Sequence, residues 1–236
     1  MRLLDLFCGR WGWSRAFAAR GWECVGVDLA RPAEIPEGCK ILLFDVLHLG
    51  AGQGFVFHGN DALHWSFAPD LICASPPCEE FSVHGMKHFH PHPKYPANGI
   101  KLFEHTRRIC EESGVPYVIE NVRAAQQFVG NAVHHCGPFY LWGNVVPPLL
   151  PRSIKKGFQT GGGIIQRLKK IDRKALTAYR RQNDGSWSSS KSKKRKQWTA
   201  QAATIPPELS NCVAEYAERL LEGKKSLAES APTSLR

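Results

Sequence analysis

The chain has 236 residues, of which 43% are hydrophobic, a proportion typical of a globular protein and not of a disordered one. No apolar run approaches the length of a membrane span, and the opening MRLLDLFCG lacks the layout of a signal peptide. The eight cysteines are scattered and include no CxxC pair, which favours reduced thiols in a cytoplasm over disulfides or a zinc knuckle.

The formal charge of +10 is concentrated in one block. Residues 151–200 carry 15 Lys and Arg against 2 Asp and Glu, a net of +13, whereas the rest of the chain has a net of −3. A polyanion is the natural partner of such a block, and nucleic acid is the first candidate. A solvated, partly disordered basic loop is the alternative.

Short apolar strands alternate with helices in the first part of the chain. The pattern predicts strands at 2–7, 23–28, 40–46, 70–75 and 116–122, with helices at 13–20 and 100–113. Strands that are apolar throughout and separated by helices favour an α/β fold with a mostly parallel, doubly wound sheet. We therefore assign residues 1–150 to one Rossmann-like catalytic domain.

The character of the sequence changes after residue 150. Residues 161–163 are all glycine and GSWSSSKSKKRK (185–196) is basic and low in complexity, so 151–203 is predicted to be a small basic recognition region. A helix at 204–223 is expected to return to the catalytic domain and to end at Gly223. Residues 224–236 are predicted to be a disordered tail. We expect a monomer.

Polar groups and thiols follow the predicted strands at their carboxyl ends, where ligands bind in sheets of this kind. Gly9 and Gly12 lie in the first strand-to-helix turn, Asp28 ends the second strand, and Asp45 lies near the end of the third. The aspartates can accept ribose hydroxyls and an adenine amino group, which predicts an adenosine-containing ligand without a phosphate cradle. Tight-turn glycines and surface or capping aspartates are the alternatives.

The segment SPPCEEFS (75–82) follows the fourth strand. Two prolines hold the backbone extended and rigid before Cys78, which makes this thiol a candidate nucleophile. Glu120, near the end of the next strand, can hold a proton or share one with a ring nitrogen. A buried structural cysteine and a capping or salt-bridging glutamate are the alternatives.

The segments DLFCGRWGWSRAF, Asp28, SPPCEEFS and IENV, in this order and spacing, resemble the C5-cytosine DNA methyltransferases. The resemblance implies that Cys78 attacks C6 of a flipped cytosine, that Glu120 contacts N3, and that S-adenosylmethionine donates the methyl group. It also implies a donor pocket made by Asp5, Phe7, Cys8, Gly9, Gly12, Trp13, Asp28, Leu29, Asp45, Val46 and Pro76.

Nucleic-acid contacts are expected near this site and from the basic region. The candidates are Ser82, Asn121, Arg123, Lys169, Lys170, Arg180, Arg181, Lys193, Lys194 and Arg195. The chain departs from the family at Trp11-Gly12, where the family has a pair of glycines, and Trp11 could crowd the donor site. The family's Gln-x-Arg-x-Arg stretch is not evident. The shortness of the chain resembles the compact methyltransferases of phages.

Other readings of the same residues stay open. RNA could replace DNA, or an anionic, carboxylated donor could replace S-adenosylmethionine, as Arg10 and Arg15 near the first turn suggest. A catalytically silent nucleic-acid-binding protein is the alternative from another class. The histidines at 84, 88, 90 and 92 lack the ordered spacing of metal ligands, so no metal is expected.

Overall fold

The computed structural model describes residues 1–50, 55–58, 64–86, 90–151 and 204–230. The described strands are β1 (Arg2–Leu6), β2 (Glu23–Asp28), β3 (Cys39–Leu43), β4 (Phe55–His58), β5 (His64–Phe67), β6 (Leu71–Ala74), β7 (Tyr117–Asn121), β8 (His134–Cys136) and β9 (Phe139–Gly143). The described helices are α1 (Ser14–Ala18), α2 (Glu79–Gly85), α3 (Ala97–Ser113), α4 (Gln126–Val129) and α5 (Pro207–Ser230). Two 3₁₀ turns lie at Val46–His48 and Arg123–Ala125.

Seven strands form one sheet in the order β3-β2-β1-β6-β7-β9-β8. The first five are parallel to one another, while β9 is antiparallel to β7 and to β8. The chain leaves β1 towards one edge of the sheet and β6 towards the other, so the order reverses between these two central strands. This topology confirms the predicted Rossmann-like, doubly wound α/β fold, and a ligand site is expected at the reversal point.

Two hydrophobic cores cover the two faces of the sheet. Leu4 and Leu6 of β1 belong to the core beneath α2, α3 and α4, whereas Leu3 belongs to the core beneath α1 and α5. Side chains of a strand point alternately to opposite faces, so a strand covered by helices on both sides is apolar at most positions. This double coverage explains the continuous apolar runs from which the strands were predicted.

The C-terminal helix α5 packs against α1 and ties the end of the described chain to its beginning. Glu218 accepts hydrogen bonds from the Arg20 guanidinium and from Trp22 Nε1, and Ser210 Oγ donates to the Trp13 carbonyl at 2.7 Å. The helix continues through Gly223 to Ser230, so the prediction that it ends at Gly223 is wrong. The sequence KKSLAES after Gly223 contains strong helix formers, which offset the cost of about 1 kcal/mol for an interior glycine.

Several features of the fold were not predicted from the sequence, among them helices α2 and α4. The antiparallel pair β4–β5 and the antiparallel strands β8 and β9 were missed, and the predicted strand at 40–46 is shorter and is followed by a 3₁₀ turn. None of the helices within the described part of the chain is long and apolar enough to cross a membrane. Almost all of the predicted basic region, 152–203, lies outside the described residues.

Candidate active site

A cavity of about 330 Å³ opens at the carboxyl ends of the parallel strands, where the strand order reverses. Its lining includes Cys78 and Glu120, the two candidate catalytic residues. It also includes all of the residues assigned to a donor pocket, namely Asp5, Phe7, Cys8, Gly9, Gly12, Trp13, Asp28, Leu29, Asp45, Val46 and Pro76. Residues scattered over more than a hundred positions of the sequence are thus brought to one site.

The turn after β1 has an unusual backbone that shapes one wall of the cavity. Phe7 and Trp11 have positive φ angles of 60° and 62°, a backbone conformation that residues other than glycine rarely adopt. The Phe7 and Cys8 amides both donate to the Val27 carbonyl of β2, at 2.8 and 3.2 Å. These bonds fix the strained turn against the neighbouring strand, and such strain is concentrated at functional sites.

Trp11 does not line this cavity and therefore does not crowd it. Its ring is buried against Gly26 of β2, where an added Cβ would lie 2.6 Å from a ring carbon and 2.7 Å from the Cys8 sulfur. Its Nε1 donates to the Glu34 carbonyl at 2.8 Å. The absence of a side chain at Gly26 provides the space for the Trp11 ring, and the packing of this ring on β2 holds the turn in place from outside the cavity.

Gly12 has a second reason to lack a side chain, besides the approach of a ligand. A Cβ at this position would lie 2.7 Å from the Ile205 backbone nitrogen and 2.9 Å from the Ile205 Cβ. The segment that leads into α5 therefore packs directly on the first turn. Thr204 and Ile205 consequently join the lining of the cavity.

Asp5 is a buried carboxyl group in the cavity wall, with 1% of its surface exposed. Its Oδ2 accepts hydrogen bonds from Ser14 Oγ at 2.6 Å and from the Ser14 amide at 3.3 Å. Its Oδ1 is buried and has no hydrogen-bond partner among the described residues. Burial raises the pKa of Asp5 from 3.8 to about 7, although the Ser14 hydrogen bonds oppose the rise. A ligand that donates a hydrogen bond or carries positive charge would satisfy Oδ1.

Asp28 and Asp45 are held in fixed orientations by backbone amides. Asp28 Oδ2 accepts from the Gly9 amide at 3.0 Å and Oδ1 from the Ala30 amide at 3.1 Å. Asp45 Oδ1 accepts from the Leu47 amide at 2.9 Å. Each carboxylate oxygen has two lone pairs, so each of these oxygens can accept a further hydrogen bond from a ligand.

Cys78 is half-buried and lies directly before the first residue of α2, with φ −102° and ψ 0°. This conformation is sparsely populated in general and recurs at active sites. Its thiol shares the cavity with that of Cys8, but burial, with Asp5 and Asp28 nearby, raises the pKa of the Cys8 thiol. A protonated Cys8 is a poor nucleophile, which leaves Cys78 as the better candidate of the two.

The other residues of SPPCEEFS hold the cysteine in place. Glu80 accepts a hydrogen bond from the Gly99 amide at 2.9 Å and thereby caps the first turn of α3. Phe81 is fully buried, and an added Cβ at Gly99 would lie 3.1 Å from its ring. The side chains after Cys78 therefore fasten α2 to α3 and to the core, so that the thiol stands on a fixed support.

Glu120 is 8% exposed and extends from β7, the strand beside β6. The neighbouring residue Asn121 is fully buried, and its Nδ2 donates to the Pro76 carbonyl at 3.0 Å. Asn121, one of the predicted nucleic-acid contacts, is therefore buried in the described structure and uses its side chain to hold the PPC segment against β7. Adjacent residues of a strand point to opposite faces, and Glu120 takes the position on the cavity.

The remaining nucleic-acid candidates divide into two groups. Ser82 is half-buried on α2, and Arg123 is exposed directly after β7, near the carboxyl edge of the sheet. The others, Lys169, Lys170, Arg180, Arg181, Lys193, Lys194 and Arg195, lie outside the described residues.

Two further sequence hypotheses concern arginines and histidines. Arg10 lines the cavity, whereas Arg15 does not and instead pairs with Glu34 at 3.0 Å. His84 Nε2 lies 2.9 Å from the Lys94 carbonyl, which ties α2 to the segment before α3. Within the described residues, no group of three or more His, Cys, Asp or Glu side chains is placed to hold a metal ion.

Several lining residues were not predicted. Phe44, Ser75, Pro77 and Glu79 adjoin predicted residues and could have been included on proximity alone. Leu102 comes from the first turns of α3, and Thr204 and Ile205 precede α5. Nothing local in the sequence marks these three, because only the packing of the helices brings them to the cavity.

Comparison with known proteins adds little to this description. No protein-family model matches the chain. No curated protein matches it. Among solved structures, it is similar to the glycopeptide N-methyltransferase MtfA over 50% of this chain and 45% of that chain, with 14% identity and a TM-score of 0.27. The chain thus matches less than half the length of this neighbour, and a likeness this low carries no argument about function.

Proposed function

We propose that the chain is an S-adenosylmethionine-dependent DNA methyltransferase that modifies C5 of cytosine. One observation carries the proposal. Cys78, four residues after β6, and Glu120, in the neighbouring strand β7, line the same cavity as the residues assigned to the donor. A nucleophile, an acid and an adenosine-type pocket are therefore within reach of one bound pair of substrates.

The described lining suits this donor. S-adenosylmethionine supplies, when bound, a methyl group on a positively charged sulfur atom. Five carboxyl side chains line the cavity, which favours a cation, and its apolar walls suit a purine ring. The carboxyl groups are those of Asp5, Asp28, Asp45, Glu79 and Glu120, and the apolar walls include Phe7, Leu29, Phe44, Val46 and Leu102.

The chain's own residues would carry out the substitution at cytosine. The Cys78 thiolate adds to C6, and the Glu120 carboxyl group forms a hydrogen bond at N3 that stabilises the charge developing on the ring. Addition at C6 makes C5 nucleophilic, so that C5 would take the methyl group as the bond from this group to the donor sulfur breaks and the sulfur becomes a neutral thioether. Transfer of the C5 proton to water then restores the C5–C6 double bond and expels the Cys78 thiolate.

The target base must leave the helical stack to reach this cavity. The block at 151–200, with its net charge of +13, supplies the attraction for the phosphate backbone. Arg123 is exposed close to Glu120 in the sequence and can contribute a phosphate contact near the site. The polymer is therefore proposed to be bound mainly by charge and the base by the cavity.

Mass spectrometry of nucleosides tests the proposal. DNA and RNA from cells that express the wild-type chain should be compared with nucleic acids from cells expressing Cys78→Ala. A matched control is Cys212→Ala, because Cys212 lies on α5, outside the lining, with its thiol directed to the Leu149 carbonyl. We expect 5-methylcytosine in DNA from the wild type and the control, and none from Cys78→Ala.

Other outcomes of this experiment are equally informative. Full methylation by Cys78→Ala would end the assignment of the nucleophile. Modification confined to RNA would name RNA as the polymer, and a larger added mass would name a carboxylated donor. Covalent trapping on a 5-fluorocytosine oligonucleotide, absent in Cys78→Ala, would separate an enzyme from a silent binding protein.

A further inference from the structure

The cavity has an uneven distribution of charge. Among its described lining residues, five carry carboxyl groups and one, Arg10, carries a guanidinium. Arg10 also lines an adjoining pocket of about 410 Å³, which shares Gly9 and Thr204 with the first cavity. Arg10 therefore lies where the two cavities meet, in a site whose other charged groups repel anions.

The backbone around Arg10 is held on both sides. Gly9, with φ 47°, donates its amide to Asp28, and the buried Trp11 is anchored to Glu34 and packed on Gly26. Arg10 itself is exposed. The turn thus presents the side chain from a fixed base, with little backbone freedom to lose when a ligand binds.

Arg15 provides a contrast on the next turn of the chain. It lies in the adjoining pocket, but its guanidinium is 3.0 Å from Glu34 and it does not line the first cavity. An arginine that is already paired with a carboxylate contributes little attraction for another anion. Of the two arginines near this turn, Arg10 is the one placed to bind an anionic group of a ligand.

We propose that Arg10 binds the carboxylate at the amino-acid end of the donor and so determines its specificity. This inference rests on the proposed function. A planar guanidinium can form two parallel hydrogen bonds with a carboxylate, which fixes orientation as well as position. Asp5 Oδ1, buried in the same wall without a partner among the described residues, is suited to the ammonium group of the same amino-acid end.

Binding of two donor fragments tests the role of Arg10. S-adenosylhomocysteine contains the amino-acid end, whereas 5′-methylthioadenosine has the same nucleoside and sulfur without it. We expect the wild type to bind S-adenosylhomocysteine more tightly, measured by calorimetry at low salt. Arg10→Ala should lower the affinity for S-adenosylhomocysteine roughly 10-fold or more and leave the affinity for 5′-methylthioadenosine unchanged. The difference in wild-type affinity between the two ligands should become smaller as the salt concentration increases.

Two variants control for charge and for folding. Arg15→Ala removes a guanidinium of the adjoining pocket and should change neither affinity. Arg10→Lys keeps the charge but not the paired geometry and should give an intermediate loss. Arg10 is exposed, so the thermal midpoint of Arg10→Ala should match that of the wild type.

The outcomes separate this inference from the proposed function. One outcome is that the wild type binds S-adenosylhomocysteine while Arg10→Ala lowers the affinity for neither ligand, or lowers both affinities equally. In that case the assignment of Arg10 is wrong, but the proposal that the cavity binds the donor is retained. If neither ligand binds the wild type, the proposed donor is wrong and the inference is overturned with it.

Discussion

Asp5 allows a quantitative test of the cavity that needs no substrate. Its pKa is raised by burial from 3.8 to about 7, while its Ser14 hydrogen bonds and the Asp28 charge act in opposite directions. Because the pKa in the folded state is higher, the protein takes up a proton on folding between these two values. The contribution of Asp5 to stability is therefore fully present below about pH 3.8 and is lost as the pH rises through about 7.

The size of the effect follows from the two pKa values. Their difference corresponds to about 4 kcal/mol in the free energy of unfolding. About 2 to 3 kcal/mol of it is lost between pH 5 and pH 8. Asp5→Asn cannot ionise, and it keeps an oxygen that accepts from Ser14. It adds a buried amide donor, which costs about 1 to 3 kcal/mol at every pH.

Urea unfolding of the wild type and Asp5→Asn at pH 5, 6, 7 and 8 measures this effect. Groups that do not interact with Asp5 titrate alike in both proteins and cancel in the difference, and the pKa of the neighbouring Cys8 thiol is raised above this pH range. We expect the variant to be less stable than the wild type at pH 5, and we expect this difference in stability to shift in favour of the variant by about 2 to 3 kcal/mol by pH 8. Ser14→Ala should move the loss to higher pH, because the Ser14 bonds lower the pKa of Asp5. A difference that stays constant from pH 5 to 8 would refute the reasoning.

Three further predictions concern the same region. Gly26→Ala should cost about 1 to 3 kcal/mol in urea unfolding because Trp11 fills the space, whereas Gly223→Ala, with nothing within 4 Å, should be neutral or stabilising. The affinity for S-adenosylhomocysteine, measured by calorimetry, should increase as the pH rises through about 7, with release of a proton on binding. The reason is that the ammonium group of the ligand favours ionised Asp5, and an affinity that does not depend on pH would contradict this. Asn121→Ala should lower kcat and leave the affinity for DNA unchanged, since it removes the hydrogen bond to the Pro76 carbonyl. Weaker DNA binding in a filter assay would instead show that Asn121 contacts DNA.

The central strands and their terminal residues were predictable because their causes are local. A strand buried on both faces must be apolar, and β1, β2, β6 and β7 are short apolar runs bounded by turn or polar residues. Parallel strands bring their carboxyl ends to one edge. The positions of Asp28, Cys78 and Glu120 in one lining therefore follow from chain order, without knowledge of any side-chain contact.

The errors arise where a residue's role depends on a distant partner. The sequence left open that Trp11 crowds the cavity, but Gly26, fifteen positions away on β2, provides the space for its ring elsewhere. The bond from Asn121 to the Pro76 carbonyl was not predicted either, although the alternation of side chains along β7 could have indicated that Asn121 and Glu120 face opposite ways. The pairing of β9 with β7 depends on contacts that no local pattern records.

The end of the described chain completes the site that its beginning starts. Ile205 packs on Gly12, Ser210 donates to the Trp13 carbonyl, and Glu218 holds Arg20, so α5 is fixed to α1 along its length. Thr204, which lines the cavity, directly follows the basic segment in the chain. Under the proposed function, a polyanion bound by this segment would remain covalently connected, through the chain, to the wall of the cavity that contains Cys78. This connectivity would raise the local concentration of the polymer at the thiol.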